Sequence, residues 1–138
     1  MVRYARVTDM HGNLYLVSTP IGNLEDLTFR AVKILSSVDI ILAESVERTK
    51  KLLSHYEIDA KVISFNKDNE KRKTKDVITY LQNSKNIALV SDAGTPSISD
   101  PGFYLLSNID EKVKIIPIPG VSSITCALSV SKIPINGF

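Results

Sequence analysis

The sequence has few of the residues that build metal centres, disulfide frameworks or hydrolytic triads. It contains one cysteine, Cys126, and two histidines, His11 and His55, among 138 residues. One cysteine cannot form a disulfide framework, and so few thiols and imidazoles leave zinc or iron without a ligand set. We therefore predict no metal site. Cys126 lies in an apolar helical stretch, so we predict that it is a small buried residue rather than a reactive thiol.

Several nucleotide-binding and hydrolase motifs are also absent. The sequence contains no Gly-x-Gly-x-x-Gly, no Gly-Lys-Ser/Thr and no Gly-x-Ser-x-Gly. These absences argue against a dinucleotide fold, a triphosphate-binding P-loop and a serine hydrolase. No apolar run approaches the roughly 18 residues of a membrane span, and residues 1–12 lack a signal-peptide core. We therefore predict a cytoplasmic protein without a membrane partner.

The composition is that of an ordinary globular domain. Apolar residues make up 43% and charged residues 23% of the chain, which is long enough for one domain with a substantial core. The net charge of +2 does not by itself indicate a nucleic-acid-binding protein. Basic residues nevertheless cluster at 48–51 and again at 67–75. Such clusters are either solvated faces or phosphate contacts, and charge alone leaves both open.

Short apolar strands alternate with helical stretches along the chain. The central strand is 87–90, four consecutive apolar residues of the kind that a parallel sheet buries. Alternation implies parallel pairing with right-handed crossovers. We predict an α/β, Rossmann-like three-layer domain with a five-stranded parallel sheet at 13–133. Residues 1–12 would be an N-terminal extension, and 134–138 the start of a linker to an absent second domain. The predicted strands are 14–18, 38–43, 62–65, 87–90 and 113–116, and the last helix, 121–130, is predicted to pack closely on the sheet.

Three loops rich in glycine, proline and small hydroxyl residues follow predicted strands, at 18–23, 92–102 and 117–123. The carboxyl ends of parallel strands lie at one edge of the sheet, where open α/β sheets bind ligands. Gly94 permits a tight turn and a close approach of the backbone to a ligand. Pro96 and Pro101 restrict the second loop. We expect the three loops to form a pocket that holds its ligand largely by backbone groups.

Residues 14–28, 90–102 and 117–128 resemble three motifs of the tetrapyrrole methylase superfamily, S-adenosylmethionine-dependent methyltransferases with two α/β domains. Thr-Pro-Ile-Gly-Asn-Leu at 19–24 and Ser-Asp-Ala-Gly-Thr-Pro-Ser-Ile-Ser-Asp-Pro-Gly at 91–102 resemble one branch, the small-subunit ribosomal RNA methyltransferase I family. That branch methylates a cytidine ribose 2′-hydroxyl. The resemblance covers residues 13–138 but only the family's N-terminal domain. It implies a strand order of three-two-four-one-five, a methyl donor in the cleft between domains, assembled small subunits as substrate, and a homodimer.

The resemblance also implies which residues contact S-adenosylmethionine. Ile21 and Ile98 would provide an apolar slot for adenine, while the hydroxyls of Ser122 and Ser123 and backbone groups around Gly94 would hydrogen-bond the ribose and carboxylate. Methyl transfer is an in-line displacement, so most of the catalysis should come from positioning the reactants. The implied donor-binding residues are Pro20, Ile21, Gly22, Ala93, Gly94, Thr95, Ile98, Ser122 and Ser123.

Two acidic residues are candidates for the general base that a ribose hydroxyl needs. Asp92 follows the central strand and Glu44 follows the second strand. Each has a structural alternative, Asp92 as a turn former and Glu44 as a loop or helix cap. Arg48 and Lys51 are the implied RNA contacts, with Arg48 orienting the substrate phosphate or ribose.

Two stretches depart from the pattern of the branch. Relatives usually read Ala-Glu-Asp-Thr-Arg-x-Thr where residues 43–49 read Ala-Glu-Ser-Val-Glu-Arg-Thr, and Asn66 replaces the histidine of a His-x-x-Asn-Glu string at 66–70. Both stretches are expected to face the acceptor, so they bear on substrate specificity more than on donor binding. A related methyltransferase of tetrapyrroles or other small molecules, and a catalytically decayed donor-binding module, remain as alternatives. We expect the 138 residues alone to bind the donor weakly and to be inactive.

Overall fold

The computed structural model describes residues 10–137. Most of the predicted extension at 1–12, and Phe138, therefore lie outside the described residues. Strands and helices alternate five times, as the apolar pattern predicts. In chain order the elements are β1 Leu14–Val17, α1 Phe29–Ser37, β2 Ile40–Ala43, α2 Val46–His55, β3 Val62–Ser64, α3 Glu70–Gln82, β4 Ile87–Val90, α4 Phe103–Asn108, β5 Ile115–Ile118 and α5 Ser123–Val130.

The five strands form one parallel sheet in the order β3-β2-β4-β1-β5. This confirms both the predicted α/β class and the strand order that the family resemblance implies. The central strand β4 lies between β2 and β1, with Ile87 in register with Ile40 on one side and with Leu14 on the other. Because every strand runs in the same direction, all five carboxyl ends lie at one edge of the sheet.

Helices cover both faces of the sheet, which gives the predicted three layers. All residues of β2 and β4 are buried, as expected for strands that are covered on both faces. Side chains alternate along β2: Ile41 and Ala43 pack in the cluster that contains residues of α1 and α2. Ile40 and Leu42 pack in the cluster that contains residues of α3 and α4. The helices α2 and α3, which flank β3 in the sequence, therefore begin at the same sheet edge on opposite faces.

Local hydrogen bonds determine where the first and third helices begin. Thr28 caps α1, its hydroxyl accepting from the Ala31 N–H at 3.0 Å. Before α3, the side chains of Asn66 and Asn69 each accept from the other's backbone N–H, at 3.1 and 2.8 Å. The polar stretch at 66–75 is therefore a turn followed by helix from Glu70.

The fifth strand lies two residues later than predicted, at Ile115–Ile118 instead of 113–116. The prediction treated Pro117 as the start of a tight turn, but Pro117 is a strand residue in register with Leu16. A proline is tolerated there because β5 is at the edge of the sheet, where one side of the strand needs no N–H donor. Val113 is buried just before the strand.

The prediction that the last helix packs closely on the sheet is wrong. None of the residues of α5, all of which the structure describes, is buried, and Ile124 and Val130 are 61% and 77% exposed. Cys126 is likewise exposed, so the prediction of a buried cysteine is also wrong. Within residues 10–137, no other element buries the small apolar residues of α5. In the same range, no helix is long and apolar enough to cross a membrane.

Candidate active site

The loops after β1 and β4 are joined by a short antiparallel bridge between Thr19 and Gly94. The Thr19 N–H donates to the Gly94 carbonyl and the Gly94 N–H donates to the Thr19 carbonyl, each at 3.0 Å. The Ser18 and Thr95 hydroxyls lie 2.9 Å apart and share a further hydrogen bond. Gly94 has a φ of 80°, a conformation that favours glycine. The structure therefore brings the first two predicted ligand loops together.

Hydrogen bonding within the protein uses the backbone of Gly94 fully. Its carbonyl accepts a second bond from the Ser91 hydroxyl at 3.1 Å, in addition to the bond from Thr19. Since a carbonyl oxygen has two lone pairs and an amide has one proton, Gly94 itself has no free backbone group to offer a ligand. Its contribution to a site is the shape of the loop, and backbone hydrogen bonds to a ligand have to come from its neighbours.

The third loop, after β5, packs directly on the first. The Ser18 N–H donates to the Ile118 carbonyl at 3.2 Å. A Cβ at Gly120 would lie only 2.7 Å from the Ser18 Cβ, so the absence of a side chain at Gly120 allows this approach. Ser122 and Ser123 follow at the start of α5, where Ser122 is partly buried and Ser123 is exposed. All three loops thus meet at the carboxyl edge of β1, β4 and β5.

Both acidic candidates and Arg48 meet beside these loops. The Asp92 carboxylate accepts from the Ser45 N–H at 3.0 Å through Oδ1, and its Oδ2 lies 3.5 Å from Nη1 of Arg48. The Asp92 N–H in turn lies 3.5 Å from a carboxylate oxygen of Glu44. The Asp92 side chain is 25% exposed and that of Arg48 72%. Asp92 therefore supports the start of α2 and still presents a carboxylate edge to solvent.

A cavity of about 210 Å³ lies between the first loop, the start of α2 and the end of β4. It includes two of the predicted donor contacts, Pro20 and Gly22, together with Asp92 and Arg48. Glu44 does not line it. The sequence reasoning missed Thr49 and Leu52, although they follow Ser45 and Arg48 by one helical turn and this spacing could have identified them. The lining residues are Thr19, Pro20, Gly22, Asn23, Leu24, Arg48, Thr49, Leu52, Ser91 and Asp92.

A second, more open cavity of about 480 Å³ lies between residues 25–28, which follow the first loop, and the third loop. Residues 25–28 form one wall, and Pro119, Gly120 and Val121 form the other. The remaining predicted donor contacts lie at the same sheet edge but line neither of these two cavities. Among them, Ile21 and Ile98 are 37% and 64% exposed. The other residues in this group are Ala93, Gly94, Thr95, Ser122 and Ser123.

Lys51 lies further from the cavity than Arg48. Its ammonium pairs with Glu47 at 3.1 Å in an i,i+4 arrangement on the exposed surface of α2. The two side chains are 74% and 82% exposed, so the pair contributes little to stability. Of the two predicted RNA contacts, Arg48 is therefore the one that lies beside a candidate general base, Asp92.

Asp100, near the end of the β4 loop, adds a third carboxylate that the sequence reasoning did not select. Burial raises the pKa of the Asp100 carboxyl above its ordinary value, the Lys67 ammonium lowers it, and the Asp92 carboxylate raises it. Asp100 therefore lies close enough to both Lys67 and Asp92 for its charge to interact with theirs. Among residues 10–137, these carboxylates do not form a metal-ligating group of three or more. Asp100 is part of the motif at 91–102, but nothing in that motif indicates that Lys67 lies near Asp100. That proximity results from the fold.

Comparisons with known proteins identify close relatives. A family model described as Tetrapyrrole (Corrin/Porphyrin) Methylases matches residues 13–138. The protein named "Ribosomal RNA small subunit methyltransferase I" of Buchnera aphidicola (subsp. Baizongia pistaciae) is 51% identical over 92% of this chain and 44% of its own length. Proteins of the same name are 49% identical in Halalkalibacterium halodurans, over 94% of this chain and 45% of theirs, and 41% identical in Escherichia coli O157:H7, over 100% and 49%. The chain thus spans about half the length of these relatives.

Solved structures with the same fold are more distant in sequence. The crystal structure of uroporphyrin-III-C-methyltransferase from Thermus thermophilus matches with a TM-score of 0.68 at 21% identity. The match covers 93% of this chain and 56% of that one. At this identity the likeness establishes the fold alone. It agrees with the five-stranded parallel sheet described above.

Proposed function

Because the chain belongs to the tetrapyrrole methylase family, we propose that it is the N-terminal half of an S-adenosylmethionine-dependent methyltransferase. The resemblance predicted from its loops is confirmed by the family match over residues 13–138. Relatives that are about twice as long as the matched region support a second domain, which would follow the domain at 13–133. That second domain would provide the other wall of the cleft. The largely exposed positions of Ile98 and Ser123 are consistent with such a cleft.

The residues at the sheet edge suit S-adenosylmethionine. Ile21 and Ile98 offer exposed apolar surface for adenine, and the hydroxyls of Ser122 and Ser123 offer hydrogen bonds for its polar groups. The loops at 18–23, 92–102 and 117–123 contain no lysine or arginine, so no cation of these loops repels the sulfonium. When bound, the donor supplies an electrophilic methyl group on sulfur. The protein then has to bind the acceptor in line and exclude water.

The proposed reaction is 2′-O-methylation of a cytidine in small-subunit ribosomal RNA. The observation that carries this proposal is the placement of Asp92 and Arg48 in one cavity with Pro20 and Gly22. Asp92 accepts the proton of the ribose hydroxyl while a bond forms from that oxygen to the methyl carbon and the carbon–sulfur bond breaks. We prefer Asp92 to Glu44 as the base because Asp92 lines the cavity. Glu44 helps to orient the loop through the Asp92 N–H.

Two of the departures from the family pattern, Ser45 and Asn66, do not favour a decayed module. Ser45, where relatives have aspartate, still caps α2, its hydroxyl accepting from the Arg48 N–H at 3.3 Å. Serine and aspartate are comparable N-caps. Asn66, at the position of the missing histidine, accepts from the N–H groups of Asp68 and Asn69 at 3.0 and 3.1 Å. Both residues therefore have structural roles that leave the Asp92–Arg48 arrangement intact.

The proposed function is tested with the native protein, meaning the full-length protein that contains this chain. It is incubated with S-adenosylmethionine labelled in the methyl group and with small ribosomal subunits from cells that lack the modification. We expect label in the RNA, recovered after digestion as 2′-O-methylcytidine. Label in no RNA, together with transfer to a tetrapyrrole acceptor, would contradict the ribosomal RNA assignment and support the small-molecule alternative.

Two variants of α2, each of which removes one positive charge, test whether Arg48 contacts the RNA substrate. Arg48→Ala is expected to raise KM for small subunits about tenfold, as for the loss of one charge-assisted hydrogen bond. Lys51→Ala removes the same charge from the same helix, but Lys51 is an outer contact and its loss should raise KM only about twofold. Equal effects of the two variants would mean that Arg48 contributes only general positive charge.

A further inference from the structure

Glu70 is a buried carboxylate whose partners belong to the far end of the β4 loop. It is the first residue of α3 and is 9% exposed. Its Oε1 accepts from the Gly102 N–H at 2.9 Å and from the Tyr104 N–H at 3.2 Å, and Oε2 lies 3.5 Å from the Gly102 nitrogen. These donors lie at the start of α4, where backbone N–H groups have no partner within the helix. Thirty-two residues separate Glu70 from Gly102 in the sequence.

The loop that Glu70 contacts has a strained backbone. Ser97 and Ser99 have φ values of 67° and 60°, and Gly102 has a φ of 135°. Residues with side chains adopt such conformations only where the surrounding structure holds them. The loop is held at its beginning by the bridge between Thr19 and Gly94. At its end the buried contacts are those with Glu70.

Two electrostatic interactions from the same part of the chain act on the end of the loop. The Lys67 ammonium interacts with the Asp100 carboxylate. The Lys71 ammonium lies 5.9 Å from the centre of the Tyr104 ring, within the range of a cation–π interaction. The first turn of α3 and the residues before it therefore hold residues 100–104. Lys67 and Lys71 are exposed, so Glu70 is the buried part of this attachment.

We propose that Glu70 is a positioning residue that holds the β4 loop in the conformation in which Ala93, Thr95 and Ile98 contact the methyl donor. The identity of that donor rests on the proposed function. Glu70 touches neither reactant, because its carboxylate is buried against α4. Its loss therefore weakens donor binding through the loop, while the chemical step at Asp92 continues once the donor is bound.

The test compares Glu70→Gln with Thr74→Val in the native protein. Glutamine keeps one acceptor oxygen but loses the charge and turns an N–H₂ group towards backbone N–H donors. We expect the Kd for S-adenosylmethionine to rise about tenfold, with kcat at saturating donor within about twofold. Amide hydrogen exchange at Gly102 and Tyr104 should accelerate about tenfold or more. If Glu70→Gln does not fold, Glu70→Asp, which draws the carboxylate back by one methylene, should change both quantities in the same direction.

Thr74→Val controls for a general loss of stability in α3. Thr74 is 2% exposed, and its hydroxyl donates to the Glu70 carbonyl within the same helix at 2.8 Å. This variant should leave the Kd within about twofold. An unchanged Kd in Glu70→Gln, or a rise in both variants that follows their loss of thermal stability, would overturn the proposal. If the wild-type protein does not bind S-adenosylmethionine, the proposed function fails. Amide hydrogen exchange at Gly102 and Tyr104 then tests the role of Glu70 separately. If Glu70 positions the loop, exchange there is faster in Glu70→Gln than in Thr74→Val.

Discussion

Replacing Asp92 with asparagine is expected to reduce methyl transfer by the native protein at least about a hundredfold, the lower range for loss of a general base. Asparagine has the same size, and its side-chain oxygen can still accept the hydrogen bond from the Ser45 N–H. The start of α2 and the loop should therefore keep their geometry. What is lost is the proton acceptor and the negative charge that faces Arg48. Binding of S-adenosylmethionine should change by less than about threefold, because uncharged groups hold most of it.

The measurement for Asp92→Asn is single-turnover methyl transfer with saturating donor and small subunits, alongside calorimetric donor binding. Asp59→Asn makes the same chemical change at an exposed position in the segment between α2 and β3 and should retain full activity. Activity of Asp92→Asn within about threefold of wild type would show that Asp92 is structural. Glu44→Gln would then become the next variant to measure, since Glu44 is the adjacent carboxylate.

Replacing Gly102 with alanine is expected to have the largest effect on stability, together with weaker donor binding. An added Cβ would lie 2.9 Å from the Leu89 Cδ2 and 2.9 Å from the Ser97 Cβ, and the φ of 135° is one that side chains rarely adopt. Strain and overpacking together should cost about 2–4 kcal/mol. For a domain of this size, that lowers Tm by roughly 5–15 °C. Movement of the loop should also separate Gly102 from Glu70 and weaken donor binding.

Comparing Gly22→Ala with Gly102→Ala in a thermal unfolding experiment separates the effect of backbone strain from that of overpacking. Gly22 has a similar φ of 142°, but nothing lies within 4 Å of where its Cβ would be. Alanine at position 22 would therefore introduce backbone strain without a steric clash, and Gly22→Ala should lower the free energy of unfolding by only about 1–2 kcal/mol. If Gly102→Ala were no more destabilising than Gly22→Ala, the close packing of Gly102 against Leu89 and Ser97 would not be important for the fold.

The layers and the parallel pairing of this protein follow largely from its sequence pattern, whereas the strand order was implied only by the family resemblance. Runs such as 87–90 are too apolar for exposed strands, and their alternation with helical stretches requires parallel connections. The error at β5 has a specific cause. Pro117 suggested the end of a strand, but an edge strand accepts proline, and edge position is a property of the assembled sheet. The error at α5 is similar, because small apolar residues predict a packing surface without identifying what lies against it.

The candidate site was predictable to the level of loops but not of contacts. Convergence of the three loops follows from parallel strands, which place their carboxyl ends together. The hydrogen bonds between Glu70 and Gly102, and between Thr19 and Gly94, join residues far apart in sequence, and no local pattern indicates them. Asn69 and Glu70 were interpreted as facing the acceptor because of the string that contains them. In the structure Asn69 pairs with Asn66 in the turn before α3, and Glu70 in the first turn of α3 accepts from the Gly102 N–H at the end of the β4 loop.

Calorimetric titration of S-adenosylmethionine into the native protein and into the 138-residue chain tests most directly whether these loops bind a methyl donor. Binding by the native protein, and weaker but measurable binding by the chain without methyl transfer, is the predicted result. It would mean that the donor contacts lie on the three loops and that the remaining part of the protein closes the cleft. Absence of binding by the native protein would contradict the assignment of the loops as a donor site and with it the proposed methyltransferase activity.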